Sequence, residues 1–238
     1  YLSDGLGGYK NASAALGRKY MHFGMSAEIT RINGDDAPSI FVTDIYEPGQ
    51  TPSKNFLWQQ AGEGRFQNLA PGVGDLQCGW AWGAKFADLD NNGRDDLVVT
   101  NGMLSADPAK DYWYELGVVG AGSVAMQEDP SLWIPLGDSS FSGYEKKCVF
   151  YNDGGRFVDV SSLTALGADE SDGRGIAAID YLNNGSQGLL IAIQGGPVKL
   201  YRVDQSNSNG WIGFRLTGSR SNRDAYGVTD PNNLSQGA

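Results

Sequence analysis

Three short apolar runs recur along the chain, and each one follows a loop rich in Asp, Asn and Gly. The runs are residues 40–43, 97–100 and 189–192. Apolar runs of four to six residues between turn-forming residues are typical of β-strands, and the sequence has no long stretch of helical periodicity. The pattern therefore predicts an all-β chain.

A second marker, a glycine followed closely by an aromatic residue, precedes each of these loops. The marker aromatics are Tyr9, Phe66 and Phe157, and the loops begin 22, 22 and 23 residues later at Arg31, Asp88 and Asp180. The markers themselves are 57 and 91 residues apart. The distance from marker to loop is nearly constant, whereas the distance from one marker to the next differs by 34 residues. This indicates three homologous units and an insertion of about 34 residues in the second. Repetition of short strands at this scale predicts a β-propeller or another repeat array.

The units span about 1–55, 56–147 and 148–205, and the insertion lies within 101–147. Three units supply about three four-stranded blades, whereas closed propellers use ~4–8 blades. We therefore expect sequence outside this chain, or another chain, to supply the remaining blades.

The loop at residues 88–96 carries the strongest chemical signal in the sequence. Oxygen-bearing side chains fall at alternate positions, and Gly93 occupies the sixth position, where the loop turns sharply. Such a set suits a hard cation, calcium above all. The predicted Ca²⁺ ligands are the side chains of Asp88, Asp90, Asn92 and Asp96 and the carbonyl of Arg94. The loop differs from an EF-hand because it has no Glu at the twelfth position and leads into a strand. The alternative is an Asx-rich hairpin turn without an ion.

The other two loops are altered at ligand positions. The first has Arg31 at position 1 and Ser39 at position 9, and the third has Leu182 at position 3 and Gly188 at position 9. We expect both loops to keep the turn and to bind metal weakly or not at all.

The net charge of −10 and the pI near 4.5 argue against nucleic-acid binding, which needs clustered Lys and Arg. An acidic calcium protein fits an extracellular or periplasmic setting, where loops with dissociation constants of ~10⁻⁴–10⁻³ M fill. No apolar run is long enough to span a membrane. No signal peptide is recognisable, and we expect the natural N-terminus to lie outside this sequence. The two cysteines, Cys78 and Cys148, are too few to form a structural zinc site. They form either a disulfide or two buried thiols, and the sequence leaves both alternatives open.

Enzyme motifs are absent from the sequence. The chain has one histidine, His22, and lacks a nucleophile elbow, an HExxH helix and a phosphate-binding glycine loop. A hydrolase using paired carboxylates stays possible. We therefore lean towards a binding protein.

The insertion has the least repetitive sequence. Asp107 and Gly117 read as the start and stop signals of a short helix over residues 108–116. Tyr112, Trp113 and Tyr114, with Trp133 further on, form a candidate glycan- or protein-binding surface. Packing of these aromatics over the propeller is the alternative interpretation.

The units resemble FG-GAP/VCBS repeats, the blades of integrin-type β-propellers. The matching strand starts are residues 23–27, 79–84 and 173–177, and residues 211–227 (WIGFRLTGSRSNRDAYG) resemble the ASPIC/UnbV module. A propeller followed by this module is the order found in the cartilage acidic protein-like secreted family. The resemblance implies a propeller of about seven blades, a small β module beginning within 206–238, and calcium binding outside the cytoplasm.

Two kinds of function are compatible with these features. The first is a secreted calcium-binding module for interaction or adhesion, or a subunit of an extracellular assembly, with a protein or glycan partner. The second is the propeller domain of a carbohydrate-active enzyme or a glycan-binding lectin. In the ASPIC/UnbV-like segment, Asn222, Arg223 and Asp224 either face a ligand or brace a turn.

Overall fold

The computed structural model describes residues 2–3, 5–11, 23–32, 37–51, 54–62, 65–204, 209–213 and 217. The strands of the first half are β1 (Leu2–Ser3), β2 (Tyr9–Lys10), β3 (Ala27–Thr30), β4 (Ser39–Val42), β5 (Phe56–Gln60), β6 (Phe66–Asn68), β7 (Ala81–Ala87) and β8 (Asp96–Asn101). Those of the second half are β9 (Asp107–Asp111), β10 (Ser139–Ser140), β11 (Cys148–Asp153), β12 (Arg156–Asp159), β13 (Gly173–Ile179), β14 (Gly188–Ile193) and β15 (Lys199–Arg202). The helices are α1 (Ala70–Val73), α2 (Trp113–Gly120) and α3 (Val124–Glu128), with 3₁₀ turns at Pro130–Leu132, Ser161–Leu163 and Leu166–Ala168.

Three antiparallel sheets dominate the described residues, as the apolar pattern predicts. The first sheet is β3-β4-β5-β6, the second is β7-β8-β11-β12, and the third is β13-β14-β15. The three predicted apolar runs fall on β4, β8 and β14, the second strand of each sheet. The first strands lie side by side, with β7 between β3 and β13. Among the described residues, these three sheets do not close into a ring.

The middle sheet is buried on both faces. Leu97 and Val99 of β8 belong to the core shared with the first sheet, where Phe41 meets Phe86 edge to face at 6.1 Å. Val98, between them in sequence, belongs to the core shared with the third sheet. Successive strand residues point to opposite faces, so a strand packed on both sides is apolar throughout. This burial explains why the run at 97–99 does not alternate.

Equivalent hydroxyl groups join neighbouring sheets. Thr43 Oγ1 donates to the carbonyl of Trp82 at 2.7 Å, and Thr100 Oγ1 donates to the carbonyl of Arg174 at 2.8 Å. Each threonine ends its apolar run, and the corresponding residue of the third run is Ala192. The repeat in the sequence thus corresponds to a repeated contact between sheets.

The sequence units and the sheets are offset from each other. The marker aromatics Phe66 and Phe157 lie on β6 and β12, which complete the first and second sheets. The second and third sequence units therefore begin within the outer part of the preceding sheet. The insertion connects β8 to β11, the second and third strands of the middle sheet.

The predicted helix over 108–116 is wrong in position. Residues 107–111 form β9, which pairs in parallel with β10, and the helix α2 begins only at Trp113. The Asp107 side chain does accept a hydrogen bond from the Ala109 N–H at 2.9 Å, but this closes a local turn and starts no helix. Proline is compatible with an edge strand as well as with a helix start, and pairing with β10 decides between them.

Cys78 and Cys148 form a disulfide, which resolves the two alternatives left open by the sequence. Cys78 lies just before β7, and Cys148 is the first residue of β11. The bond joins segments separated by 70 residues, so it closes the insertion into a covalent loop.

Candidate functional site

The hairpin between β7 and β8 places the predicted calcium ligands on one tight loop. Asp88 accepts hydrogen bonds from the backbone N–H groups of Asn92 at 2.9 Å and Gly93 at 2.8 Å. Asp90 also accepts from the Asn92 N–H, at 3.2 Å, and the Asn92 side chain accepts from the Arg94 N–H at 2.9 Å. Gly93 has a positive φ of 83°, a conformation that glycine adopts without steric cost. The loop is thus shaped by its own side-chain oxygens.

Asp96 closes the loop at the start of β8. Its carboxylate is only 3% exposed and accepts from the backbone N–H groups of Asn152 at 2.8 Å and Leu89 at 3.3 Å. Burial raises the pKa of Asp96 to about 7, and the charges of Asp90 and Asp88 raise it further. Burial likewise raises the pKa of Asp88. The loop therefore concentrates negative charge where it is poorly solvated.

These carboxylates do not converge as placed. In the described part of the chain, no three Asp, Glu, His or Cys side chains form a metal-binding group. The loop hydrogen bonds suit an Asx-rich turn, and the oxygen-only donor set also suits calcium. The chemistry of the donors therefore fits the ion, and the hydrogen bonds keep the loop folded as a turn.

The loop between β13 and β14 repeats the same turn, as expected from its sequence. Asp180 accepts from the N–H groups of Asn184 at 3.0 Å and Gly185 at 2.7 Å, and Asn184 accepts from the Ser186 N–H at 3.0 Å. The side chain of Asn91 donates to the Gly185 carbonyl at 3.1 Å, which joins the two loops. In the first unit, the loop positions Asn33 and Asp35 lie outside the described residues.

A cavity of about 320 Å³ lies between these two loops. Asp88 and Asp180 line it from the loops, and Trp211 lines it from the segment after the third sheet. The Trp211 ring lies against Gly185, where a Cβ atom would be 2.1 Å from the ring. Residues 210–213 thus contact the loop end of the sheets.

At the opposite end of the middle sheet, five rings form what we call the aromatic cluster. Its members are Trp80, Trp82, Tyr112, Trp113 and Phe141. The centre of the Phe141 ring lies 4.8 Å from that of Trp80 and 5.0 Å from that of Trp113. The rings of Trp80 and Trp82 are stacked, with their centres 6.4 Å apart. Tyr112 is buried and the other four rings are half-buried, so the cluster forms part of the surface.

The predicted aromatic surface is only partly assembled. Trp113 joins the aromatic cluster, and Tyr112 is 6% exposed with its hydroxyl donating to the Ile134 carbonyl. Tyr114 points away and is 77% exposed. Trp133 contacts the insertion through a 2.8 Å hydrogen bond from its indole N–H to the Met126 carbonyl. Asn222, Arg223 and Asp224 lie outside the described residues.

Acidic side chains border the aromatic cluster. Glu145 accepts a hydrogen bond from the Trp80 backbone N–H at 2.8 Å, and Asp111 accepts from the Trp113 backbone N–H at 3.1 Å. Glu47 lies two residues after Ile45, which pairs with Trp80. Burial raises the pKa of Glu145 to about 7, with a further contribution from the charge of Glu47. Burial, and then the charge of Asp111, raises the pKa of Glu47.

One cation of the chain already lies in the aromatic cluster. The Arg174 guanidinium is 4.4 Å from the centre of the Trp82 ring. It donates to the carbonyls of Gly102 at 2.6 Å and Met103 at 2.5 Å and to the side chain of Gln194. Arg174 is therefore held by main-chain oxygens and a ring face.

A separate polar network joins the second and third sheets. Asp169 accepts from Lys199 at 2.8 Å, Tyr201 at 2.5 Å and the Ser171 hydroxyl at 2.6 Å. Burial alone would raise the pKa of Asp169, but these three hydrogen bonds hold it well below its usual value. The fully buried Lys147 amine donates to the carbonyls of Asp169 and Ser171, and burial lowers its pKa. This network serves the packing between sheets.

One family model matches part of the chain. The FG-GAP-like repeat matches residues 31–99. The matched region runs from the first loop to β8 and includes the loop with Asp88 and Asp96. No curated protein matches the chain.

Among the described residues, no helix has the length and apolar character needed to cross a membrane.

Proposed function

We propose that this chain is part of a secreted, calcium-binding β-propeller that acts as an interaction or adhesion module, or as a subunit of an extracellular assembly. The half-exposed aromatic cluster is the observation that carries the proposal. Large aromatic rings at a surface supply much of the binding energy of protein and glycan interfaces. The FG-GAP-like repeat at residues 31–99 supports a propeller-type scaffold.

The scaffold separates two functions along the middle sheet. The strands β7 and β8 form a hairpin, so their loop lies at one end, while Trp80 and the insertion lie at the other. Seven strand residues span about 20 Å. The aromatic cluster and the calcium loop therefore lie at opposite ends of the sheet.

In this proposal, calcium is bound by Asp88, Asp90, Asn92 and Asp96 with the Arg94 carbonyl. The ion would supply the positive charge that this poorly solvated loop lacks. The disulfide fits a secreted protein, because disulfides persist in oxidising compartments such as the extracellular space. We extend the proposal to residues 206–238 as the beginning of an ASPIC/UnbV-like module, with Asn222, Arg223 and Asp224 as a candidate ligand-facing trio.

Calcium binding is tested by thermal unfolding of the whole chain with calcium and after chelation. A ligand at 100 times its dissociation constant stabilises a folded protein by about 2.7 kcal/mol. We expect calcium to raise the unfolding midpoint of the wild type and to leave Asp90→Ala unchanged. Asp153→Ala removes an exposed carboxylate from the β11–β12 turn and should keep the wild-type response. An identical midpoint for chelated and calcium-loaded wild type would refute the proposed site.

Binding at the aromatic cluster is tested with panels of glycans and extracellular-matrix proteins. Trp113→Ala removes a ring from the cluster, whereas Trp133→Ala removes one that is not among its five members. We expect the first variant to lose at least tenfold in affinity and the second to bind as the wild type does. If both folded variants bind normally, the surface assignment is wrong.

A second candidate function is a carbohydrate-active enzyme or lectin, favoured by Glu145. A carboxyl group with a pKa raised to about 7 beside tryptophans has the properties of a general acid in sugar hydrolysis. This function predicts release of reducing ends from a polysaccharide by the wild type and none by Glu145→Gln. Without such turnover, the enzyme interpretation falls and the binding module stands.

A further inference from the structure

We propose that the aromatic cluster with its acidic border receives a basic side chain, arginine or lysine, presented by a protein partner. This inference rests on the proposed binding function and names the chemistry of its ligand. It follows from three features at this end of the middle sheet: the carboxylates that border the cluster, a buried acceptor without a partner, and a cation already bound over one of the rings.

The carboxylates of Asp111 and Glu145 are held beside the tryptophans by the backbone, and the Glu47 carboxylate is close enough to interact with the charges of both. Glu145 and Asp111 each accept a main-chain N–H, from Trp80 and Trp113 respectively. None of the ion pairs among the described residues involves any of the three. Three carboxylates without an ion pair among the described residues therefore border one group of rings.

The same end of the middle sheet has a hydrogen-bond acceptor without a donor. Asn101 is 3% exposed, and its side-chain N–H₂ donates to the Lys146 carbonyl at 2.8 Å, next to Glu145. The Oδ1 atom of Asn101 accepts no hydrogen bond. Buried polar atoms almost always have a partner, and at this end of the sheet the Asn101 acceptor and the Trp80 indole N–H both lack one. A ligand that carries N–H groups and positive charge would supply a donor and a counter-charge at this end of the sheet.

The cations already present show which geometry the rings favour. Arg174 lies over Trp82 at 4.4 Å, and Lys54 lies over the ring of Tyr46, the residue before Glu47, at 5.1 Å. Positive groups over aromatic faces are stabilised by the ring quadrupole, most strongly over tryptophan. Arg174 uses carbonyl oxygens as acceptors, which leaves the three carboxylates to a second cation. The overall charge of −10 adds long-range attraction for a basic partner.

The test measures binding of three nine-residue peptides, rich in arginine and lysine, in glutamine or in glutamate, to the full chain by calorimetry. We expect the basic peptide to bind at least tenfold more tightly than the neutral one, and the acidic peptide not to bind. The double variant Glu47→Gln/Glu145→Gln should weaken the basic peptide at least tenfold. Trp113→Ala should weaken it as well, because it removes a ring without changing charge.

Non-specific attraction is separated by a variant of equal net charge. Glu128→Gln/Asp153→Asn removes two exposed carboxylates that border none of the five rings and form no ion pair in the described part of the chain, and it should weaken binding less than twofold. Equal losses in the two double variants would overturn the inference, as would unchanged binding in folded Trp113→Ala. Circular dichroism and the unfolding midpoint establish that each variant is folded.

The outcomes distinguish this inference from the proposed function. If an uncharged glycan binds in a Trp113-dependent manner and the basic peptide does not, the cation inference is wrong and the binding module stands. If neither ligand depends on Trp113, both are wrong.

Discussion

Removal of the Cys78–Cys148 disulfide should cost this protein a large part of its stability. The change is the double variant Cys78→Ala/Cys148→Ala. Alanine is used in place of serine because Cys78 is only 4% exposed and serine would bury a hydroxyl there. The bond closes a loop with a sequence separation of 70. Loop-closure entropy for that length corresponds to about 4 kcal/mol at 25 °C. Because whole domains have only about 5–15 kcal/mol of net stability, the loss should be easily measured.

Urea unfolding followed by tryptophan fluorescence gives the measurement. Reduction of the wild type provides an independent control, because it breaks the same bond without changing side-chain volume. Both treatments should lower the free energy of unfolding by a similar amount. The reasoning fails if the double variant lies within about 1 kcal/mol of an oxidised wild type whose disulfide is verified by mass spectrometry.

Two further predictions concern contacts between sheets. Gly83→Ala should lower the free energy of unfolding by about 1–3 kcal/mol, because its Cβ would lie 2.4 Å from the Arg174 carbonyl oxygen across the sheet interface. Gly175→Ala is the matched control: its nearest neighbour would be the Ala192 Cβ at 3.8 Å, and equal losses in thermal unfolding would contradict the close approach. Asp169→Asn should destabilise the protein at pH 7, because hydrogen bonds lower the pKa of this carboxyl in the folded state. That contribution is present above the unfolded-state pKa and is lost as pH falls, so wild type and variant should converge below about pH 4; a constant difference from pH 7 to pH 3 would exclude it.

The repeat in the sequence predicts the main sheets because each unit forms local structure. The loops at Asp88 and Asp180 and the apolar runs after them became hairpins, since Asx turns and strand pairing depend on residues close in sequence. The helix at 108–116 was misplaced for the converse reason. Pairing of β9 with β10 joins segments about 30 residues apart and overrides the local start signal at Asp107.

The sequence predicted only part of the aromatic cluster. The sequence predicts Trp113 as a surface residue because it stands in an aromatic triplet. The pair Trp80 and Trp82 lies 31 or more residues before Trp113 and Phe141 lies 28 residues after it, so their spacing carries no periodic signal. They meet because β7 begins at the end of the sheet from which the insertion emerges.

By itself, the sequence determined the β class, the three-unit repeat, the hairpin loops and the oxygen-rich composition of the candidate calcium site. These properties depend on local turn chemistry and on the two-residue period of strands. Only the tertiary structure decided that Cys78 meets Cys148, that β8 is buried on both faces, and that Asp111 and Glu145 border the tryptophans. Those features join residues tens of positions apart, and their energies arise from burial and charge, which exist only once the sheets pack together.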